Sequence, residues 1–319
     1  MPGGSRECLF QGGNRGRGLS PFFWKGSMNY FSVCDGIGAA HAALLPLGYR
    51  CVGVSEIDKY CNKLIEEKYG FKNYGDINKF DSDSWGRFWG KGKCRVDLVI
   101  GGTPCQAFSI IGKRRGTNDP CGKLTETFSI FTCCKRPKWF IWENVPGVFS
   151  VANGRVFQNL LNRFSVCGYG LAWRVFDAQF FGVPQRRRRV FLVGCLGDPI
   201  SAGKVLFDTE PVQVPARKLQ KKECVDPQTA ARYFGNRSQA GTVMANYDKG
   251  ICSDRVHQVV IDGKRARKLT PLECERLMGF EDGYTEGFSN SQRYKMLGNS
   301  MPVPVIRWIG KRILERSLL

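Results

Sequence analysis

Residues 28–56 read MNYFSVCDGIGAAHAALLPLGYRCVGVSE. An apolar run, Tyr30 to Cys34, enters the turn Asp35-Gly36-Ile37-Gly38, passes into an alanine- and leucine-rich stretch, and emerges in a second apolar run ending on Glu56. Short apolar runs bounded by glycine are strand-and-turn signals, and the stretch between them has the composition and length of a helix. Such a turn lets backbone approach a ligand at the amino end of the helix. An acid about 20 residues beyond it is where nucleotide folds hold ribose hydroxyls. Glycine patterns of this kind are common by themselves, so the rest of the chain has to decide the matter.

Downstream, the alternation continues. IDKYCNKLIEEKYG (57–70) has helical spacing, and Asp76, in YGDI, follows the next turn, where a carboxylate can accept from an adenine amino group. VDLVIGG (96–102) reads as a strand, LTETFSIFTCC (124–134) as a helix, KWFIWEN (138–144) as a strand and RVFQNLLNRFSVCG (155–168) as a helix. Strands alternating with helices of this length predict an α/β fold: a doubly wound, mostly parallel, Rossmann-like sheet. Between Asp198 and about Ser289 the alternation gives way to short extended stretches, prolines and many basic residues, which predicts a second, smaller domain. VPVIRWIGKRILERSLL (303–319) is apolar-periodic and basic, a closing helix expected beside the first strand. The expected division is a leader at 1–27, a catalytic and cofactor-binding domain at 28–197, a small recognition domain at 198–289, and a return to the first domain at 290–319. The leader, rich in Gly, Arg and Ser, reads as cloning sequence or as a basic flexible arm.

Two strand ends carry the chemistry. DLVIGGTPCQAFS (97–109) runs from an apolar strand into a glycine-rich turn that presents Cys105 after Pro104. IWENVPG (141–147) repeats the arrangement with Glu143 and Asn144. One cysteine in a tight turn is ordinarily structural; a thiol and a carboxyl delivered by two strand ends suit covalent catalysis with a general acid. Arg186 to Arg189 lead directly into the apolar run VFLVG. Side chains alternate along a strand, so Arg187 and Arg189 are assigned inward and Arg186 and Arg188 to solvent or phosphate.

Composition sets the partner class. Lys and Arg number 48 against 28 Asp and Glu, a formal charge of +20 on 319 residues, which calls for a polyanion. No run approaches the roughly 18 apolar residues of a membrane span, and no signal peptide is evident. Fourteen cysteines without framework spacing point to a reducing compartment. With no C-x-x-C and only His41 and His257, no metal site is expected and a histidine-based triad finds no support.

These residues resemble the S-adenosylmethionine-dependent DNA (cytosine-5) methyltransferases, of bacterial and phage type, from Met28 to the end. FSVCDGIGA is similar to the first cofactor loop, Glu56 and GDI to the next two, GGTPCQAFS to the nucleophile loop, and DPCGKL to the segment lining the cofactor pocket. ENV is similar to the acid block, FFGVPQRRRRVFLVG to the arginine block, RKLTPLECERLMGF to the ninth block and YKMLGNSMPVPV to the terminal one. The resemblance implies transfer of a methyl group from S-adenosyl-L-methionine, leaving S-adenosyl-L-homocysteine, to C5 of a cytosine flipped out of duplex DNA. Cys105 would add at C6, Glu143 would assist at N3 with Asn144 holding the geometry, and Arg189 would steady the base's O2 and the acid, with Arg187 beside it in the catalytic site. The cofactor would meet Cys34, Asp35, Gly36, Ile37, Gly38, Glu56, Ile57, Asp76, Ile77, Pro104, Leu124, Asn299 and Ser300. DNA would meet Gln106, Ser109, Lys113, Arg114, Arg115, Asn144, Lys221, Lys222, Arg232 and Arg237.

Further implications are a monomer, a cognate restriction enzyme as a second partner, and the cytoplasm of a bacterial or phage-infected cell. Two departures stand out: Cys34 occupies the place of an adenine-packing aromatic, and the recognition segment is short, which predicts a site of about two to four base pairs. Rival readings are a tRNA cytosine-5 methyltransferase, a catalytically silent DNA-binding homologue and, below both, a Rossmann-like dehydrogenase.

Overall fold

The structure is a computed structural model that describes residues 27–79, 95–104, 120–207, 240–245, 247, 259–262 and 265–317. Six strands form one sheet: β1 (Asn29–Val33), β2 (Arg50–Ser55), β3 (Leu98–Gly102), β4 (Trp139–Asn144), β5 (Tyr169–Asp177) and β6 (Arg188–Leu196), in the order β2-β1-β3-β4-β6-β5. The first four are parallel, and β6 runs antiparallel to both β4 and β5. A hairpin of β7 (Val259–Asp262) and β8 (Arg265–Lys268) stands apart from this sheet.

Helices cover both faces. Alternation along the strands sends Tyr30, Leu98, Ile100, Trp139, Ile141, Phe191 and Val193 to one core. There α1 (Ala39–Leu44), α2 (Lys59–Tyr69), α5 (Pro199–Phe207), α6 (Pro271–Met278), α7 (Asn290–Asn299) and α8 (Val303–Ser317) contribute buried residues. Phe31, Val33, Val99, Phe140, Trp142, Val190 and Leu192 form the other core with α3 (Pro120–Lys135) and α4 (Arg155–Val166). Gly194 makes one contact possible: a Cβ there would stand 1.9 Å from the Phe140 ring across the β4–β6 pair.

Local signals explain where the elements begin. The Asp58 carboxylate caps α2 by accepting from the N–H groups of Tyr60 and Cys61, and the helix stops at Gly70 in the left-handed region. Thr270 and Glu273 form a capping box on α6, as Ser289 and Gln292 do on α7.

Three features differ from expectation. Strand β5 is absent from the sequence reading. The helix that opens the 198–289 stretch, α5, packs on β5 and β6, and Cys274, Leu277, Met278 and Tyr284 join the main core. Both flanks of that stretch, with Val243 and Tyr247, therefore belong to the first body among the described residues. The closing helix α8 packs on α1 and α5, with Tyr49 Oη donating to the Gly310 carbonyl at 2.9 Å, rather than directly beside β1.

Candidate active site at the strand ends

Parallel strands β1 to β4 all end on one edge of the sheet, where open α/β sheets place their ligands. Val33 pairs with Ser55 and with Gly101, and Gly102 pairs with Glu143, so the glycine turn, Glu56, the Thr103-Pro104 segment and Glu143 line up along it. At about 4.8 Å per strand, Glu56 and Glu143 stand roughly 14 Å apart across the sheet. That span suits a donor on one side and an acceptor on the other, meeting above β1 and β3.

On the first side, residues 34–38 make the turn. Cys34 (φ 51), Gly36 (φ 60) and Gly38 (φ 81) all occupy the left-handed region. The Gly36 N–H donates to Glu56 Oε2 at 2.7 Å, and Glu56 Oε1 accepts from Ile57 and Asp58 N–H, each at 2.8 Å. Burial pushes the Glu56 carboxyl up, and the N–H groups of Asp58, Gly36 and Ile57 pull it back. Oε2 carries one donor and keeps acceptor capacity. A Cβ built on Gly36 meets nothing within 4 Å, so the turn faces open space. Ile57 is 69% exposed, an apolar surface beside that space.

Beneath the turn lies a buried polar chain. Ser32 Oγ donates to Asp35, Asp35 Oδ2 lies 2.7 Å from His41 Nε2, and His41 Nδ1 lies 2.6 Å from Tyr30 Oη. Tyr284 Oη donates to the Ile37 carbonyl at 2.6 Å. Residues presented this way fit a nucleoside: a main-chain turn, a carboxylate with spare acceptor capacity and an apolar ledge. The side chains of Ile37 and Ile77 are buried in the cores, which leaves only their main chain for a ligand. Asp76 is half-buried, its Oδ1 accepting from the Asn78 N–H and side-chain amide. Leu124 packs half-buried against the second core, Ser300 is buried and Asn299 is exposed.

On the second side, Thr103 is held from three directions. Its Oγ1 accepts from Trp142 Nε1 at 3.0 Å and from Asn144 Nδ2 at 3.2 Å, and lies 3.0 Å from Thr125 Oγ1. Asn144 Nδ2 also donates to the Thr103 carbonyl, and Asn144 Oδ1 accepts from the Val145 N–H. The Asn144 amide, expected to meet DNA, is thus engaged within the protein and 1% exposed, bracing the root of the loop that carries Cys105. Pro104 is half-buried at the end of that root. Cys105, Gln106, Ser109, Lys113, Arg114 and Arg115 lie outside the described residues, as do Lys221, Lys222, Arg232 and Arg237.

Glu143 is 7% exposed, and Arg189 Nε stands 3.1 Å from its Oε1. Burial pushes the Glu143 carboxyl up, against the pull of Arg189 and then Arg187. A carboxyl in this balance can present a proton or accept one, provided a base sits against it. A side chain on Gly102 would crowd Met301 and Glu143 Oε2, at 3.1 and 3.3 Å, so this glycine keeps the two strand ends close.

The arginine run splits as alternation requires: Arg186 and Arg188 are exposed, Arg187 is buried and Arg189 is half-buried. Arg187 donates to the carbonyls of Val243 (3.0 Å), Gly298 (3.0 Å) and Ser300 (2.7 Å), and its own N–H donates to Asp177 Oδ1. These three carbonyls tie Arg187 to the 243 and 298–300 segments, while its charge also acts on Glu143. Gln185 works alongside, accepting from the Val243 N–H and donating to the Leu277 carbonyl. Thr103, Trp142, Asp177 and Gln185 escaped the sequence reading; Gln185 had a signal, standing directly before the four arginines.

Strand order, turn and paired strand-end groups define the α/β methyltransferase fold. Solved structures agree: a methyltransferase of Entamoeba histolytica, EhMeth, superposes with a TM-score of 0.70 at 16% identity, covering 92% of this chain and 99% of that one. The Dnmt2 methyltransferase of S. pombe does so at 0.67 and 18%, covering 92% and 100%. At such identities these likenesses establish the fold alone.

The chain belongs to the C-5 cytosine-specific DNA methylase family, which it matches over residues 28–249 and 216–315. It is 31% identical to the Type II methyltransferase M.DsaV of Dactylococcopsis salina, over 91% of this chain and 87% of that protein. It is 28% identical to M.HhaI of Haemophilus parahaemolyticus, over 90% and 94%. The protein is accordingly an enzyme of the cytosine-5 DNA methyltransferase type. No helix among the described residues is long and apolar enough to cross a membrane.

Proposed function

We propose that the enzyme methylates C5 of a cytosine rotated out of duplex DNA at a short sequence, with S-adenosyl-L-methionine as donor. The observation that carries this reading is Glu143, buried and ion-paired with Arg189 at the strand end that registers with the root of the Cys105 loop. When bound, the donor supplies an activated methyl group. Glu56 would accept from its ribose hydroxyls, Ile57 would lie against its adenine and the 34–38 turn would hold the rest.

Cytosine C5 is a poor nucleophile until a group adds at C6, which assigns that role to the Cys105 thiolate. An ordinary thiol is only a few per cent ionised at neutral pH, so addition needs electrophilic help from the ring. Glu143 supplies it by donating to N3, where its raised carboxyl favours the protonated form. Arg189 fixes the orientation of Glu143 and faces the base carbonyl. After methyl transfer the C5 proton leaves to water and the C6–S bond breaks. A base reached this way must leave its stack, at a cost of a few kcal/mol.

On the same reading the 198–289 stretch carries the small recognition domain, and a cognate restriction enzyme and a bacterial cytoplasmic setting go with the activity. Bisulfite sequencing of plasmid DNA from expressing cells tests the reading. Protected cytosines at one fixed short sequence are expected. Uniformly converted DNA, with active enzyme on RNA, would replace it with the RNA reading.

A further inference from the structure

At the outer edge of the sheet, β5 and the beginning of β6 border a groove of about 460 Å³ lined by Arg174, Phe176, Asp177, Phe180, Arg186 and Arg188, among others. Two of its charges are committed. Arg174 Nη1 donates to the Leu206 carbonyl at 3.1 Å, and its guanidinium lies over the Phe176 and Phe207 rings. Asp177 accepts from the Arg187 N–H and the Gln179 side chain. Arg186 and Arg188 are exposed, and neither guanidinium has an ion pair or hydrogen bond among the described residues. Phe180, 49% exposed, adds an apolar ring to the same groove. Two like charges held at one groove whose acid, Asp177, is engaged elsewhere are poised for an external anion.

The groove's place names the anion. Arg188 pairs with Asp177 on β5, and it lies three positions before Phe191, the partner of Glu143. Three strand residues span about 10 Å. A DNA strand presents a phosphate about every 3.4 Å of helix axis. A base held at Glu143 therefore leaves Arg188 within the scale of a few nucleotides of the flanking backbone. The Arg186 N–H donates to the Ala240 carbonyl at 2.8 Å, where the described chain resumes after Phe207, so the groove adjoins the root of the expected recognition segment.

We propose that Arg186, Arg188 and Phe180 form a clamp on the DNA backbone a few nucleotides from the methylated cytosine, the guanidiniums on phosphates and the ring against a deoxyribose. This rests on the reading that Glu143 meets the target base. Phosphate contacts position without specifying, so the clamp sets register and affinity, not sequence.

The test measures duplex affinity against salt for the wild type and for an Arg186→Gln/Arg188→Gln variant. The log–log slope should fall by about 1.8, at about 0.9 per phosphate, with the methylated sequence unchanged. A neutral methylphosphonate linkage, moved one position at a time, should weaken wild-type binding at two to four nucleotides from the target and leave the variant indifferent there. Arg186→Lys/Arg188→Lys should keep the slope. A wild-type slope in the glutamine variant, or equal methylphosphonate sensitivity in both proteins, overturns the clamp. Binding is read without turnover, so the clamp stands or falls apart from the methylation assay that tests the function.

Discussion

At one end of the row of strand ends Glu56 is fixed by three main-chain N–H groups, whereas at the other Glu143 is ion-paired, among the described residues, with one side chain, Arg189. Burial raises both carboxyls. A carboxylate held by backbone cannot lose its partners to substitution, so its position is as firm as the turn itself. A carboxyl held by a guanidinium has an adjustable proton affinity, because the opposing charge can be removed. Under the proposed function, binding rests on the first device and proton chemistry on the second.

The largest expected effect that separates the two is Glu143→Gln, which keeps shape but cannot donate a proton to N3. Single-turnover methylation should fall by about 10²–10⁴-fold while the donor dissociation constant stays unchanged. An unaltered rate would remove Glu143 from the role.

Next comes Arg189→Ala. A hydrogen bond to a charged group is worth about 1.5–3 kcal/mol, so kcat/KM should drop roughly 10- to 150-fold. The pH profile gives the sharper reading. If protonated Glu143 is the working form, activity is retained below its raised pKa and lost as pH rises through it. Removing the charge that lowers this pKa should move the alkaline limb to higher pH; movement to lower pH contradicts the assignment.

Glu56→Gln should weaken donor binding about tenfold, the lower end of the same range, with the rate at saturating donor preserved. Calorimetry and single-turnover kinetics together check that split.

Cys34→Phe is the smallest change. Cys34 already holds a left-handed backbone conformation, and an aromatic ring there should tighten donor binding by about 0.5–1.5 kcal/mol. Equal or weaker binding would mean that Ile57, or another side chain, already covers the adenine.

Much of this edge was legible in the sequence because period and chemistry coincide there. Strands β1 to β4 are short apolar runs closed by glycine or an acid, and the Cys105 and Glu143 segments repeat one pattern. Strand β5 was not legible: Gly170 and Arg174 blur its alternation, and it follows α4 after only Cys167 and Gly168. The roles of Asn144 and Arg187 were hidden for another reason. Their partners, Thr103 and the carbonyls of Val243, Gly298 and Ser300, lie 41 to 113 residues away, and no local pattern encodes such pairings. The arginine run betrayed its two-sidedness through strand period, and the family resemblance pointed to Arg189 as the one that meets the acid; that Arg187 staples the chain depended on tertiary partners.

The central claim is that Cys105 adds covalently to the cytosine ring. It is tested most directly with duplex DNA carrying 5-fluorocytosine at the methylated position, in the presence of donor. Fluorine cannot leave as the C5 proton does, so the wild-type enzyme should form a denaturant-stable adduct that maps by mass spectrometry to the peptide containing Cys105, and Cys105→Ser should form none while still binding the DNA. Methylation of ordinary DNA without any such adduct, or an adduct mapped to another cysteine, would contradict the account.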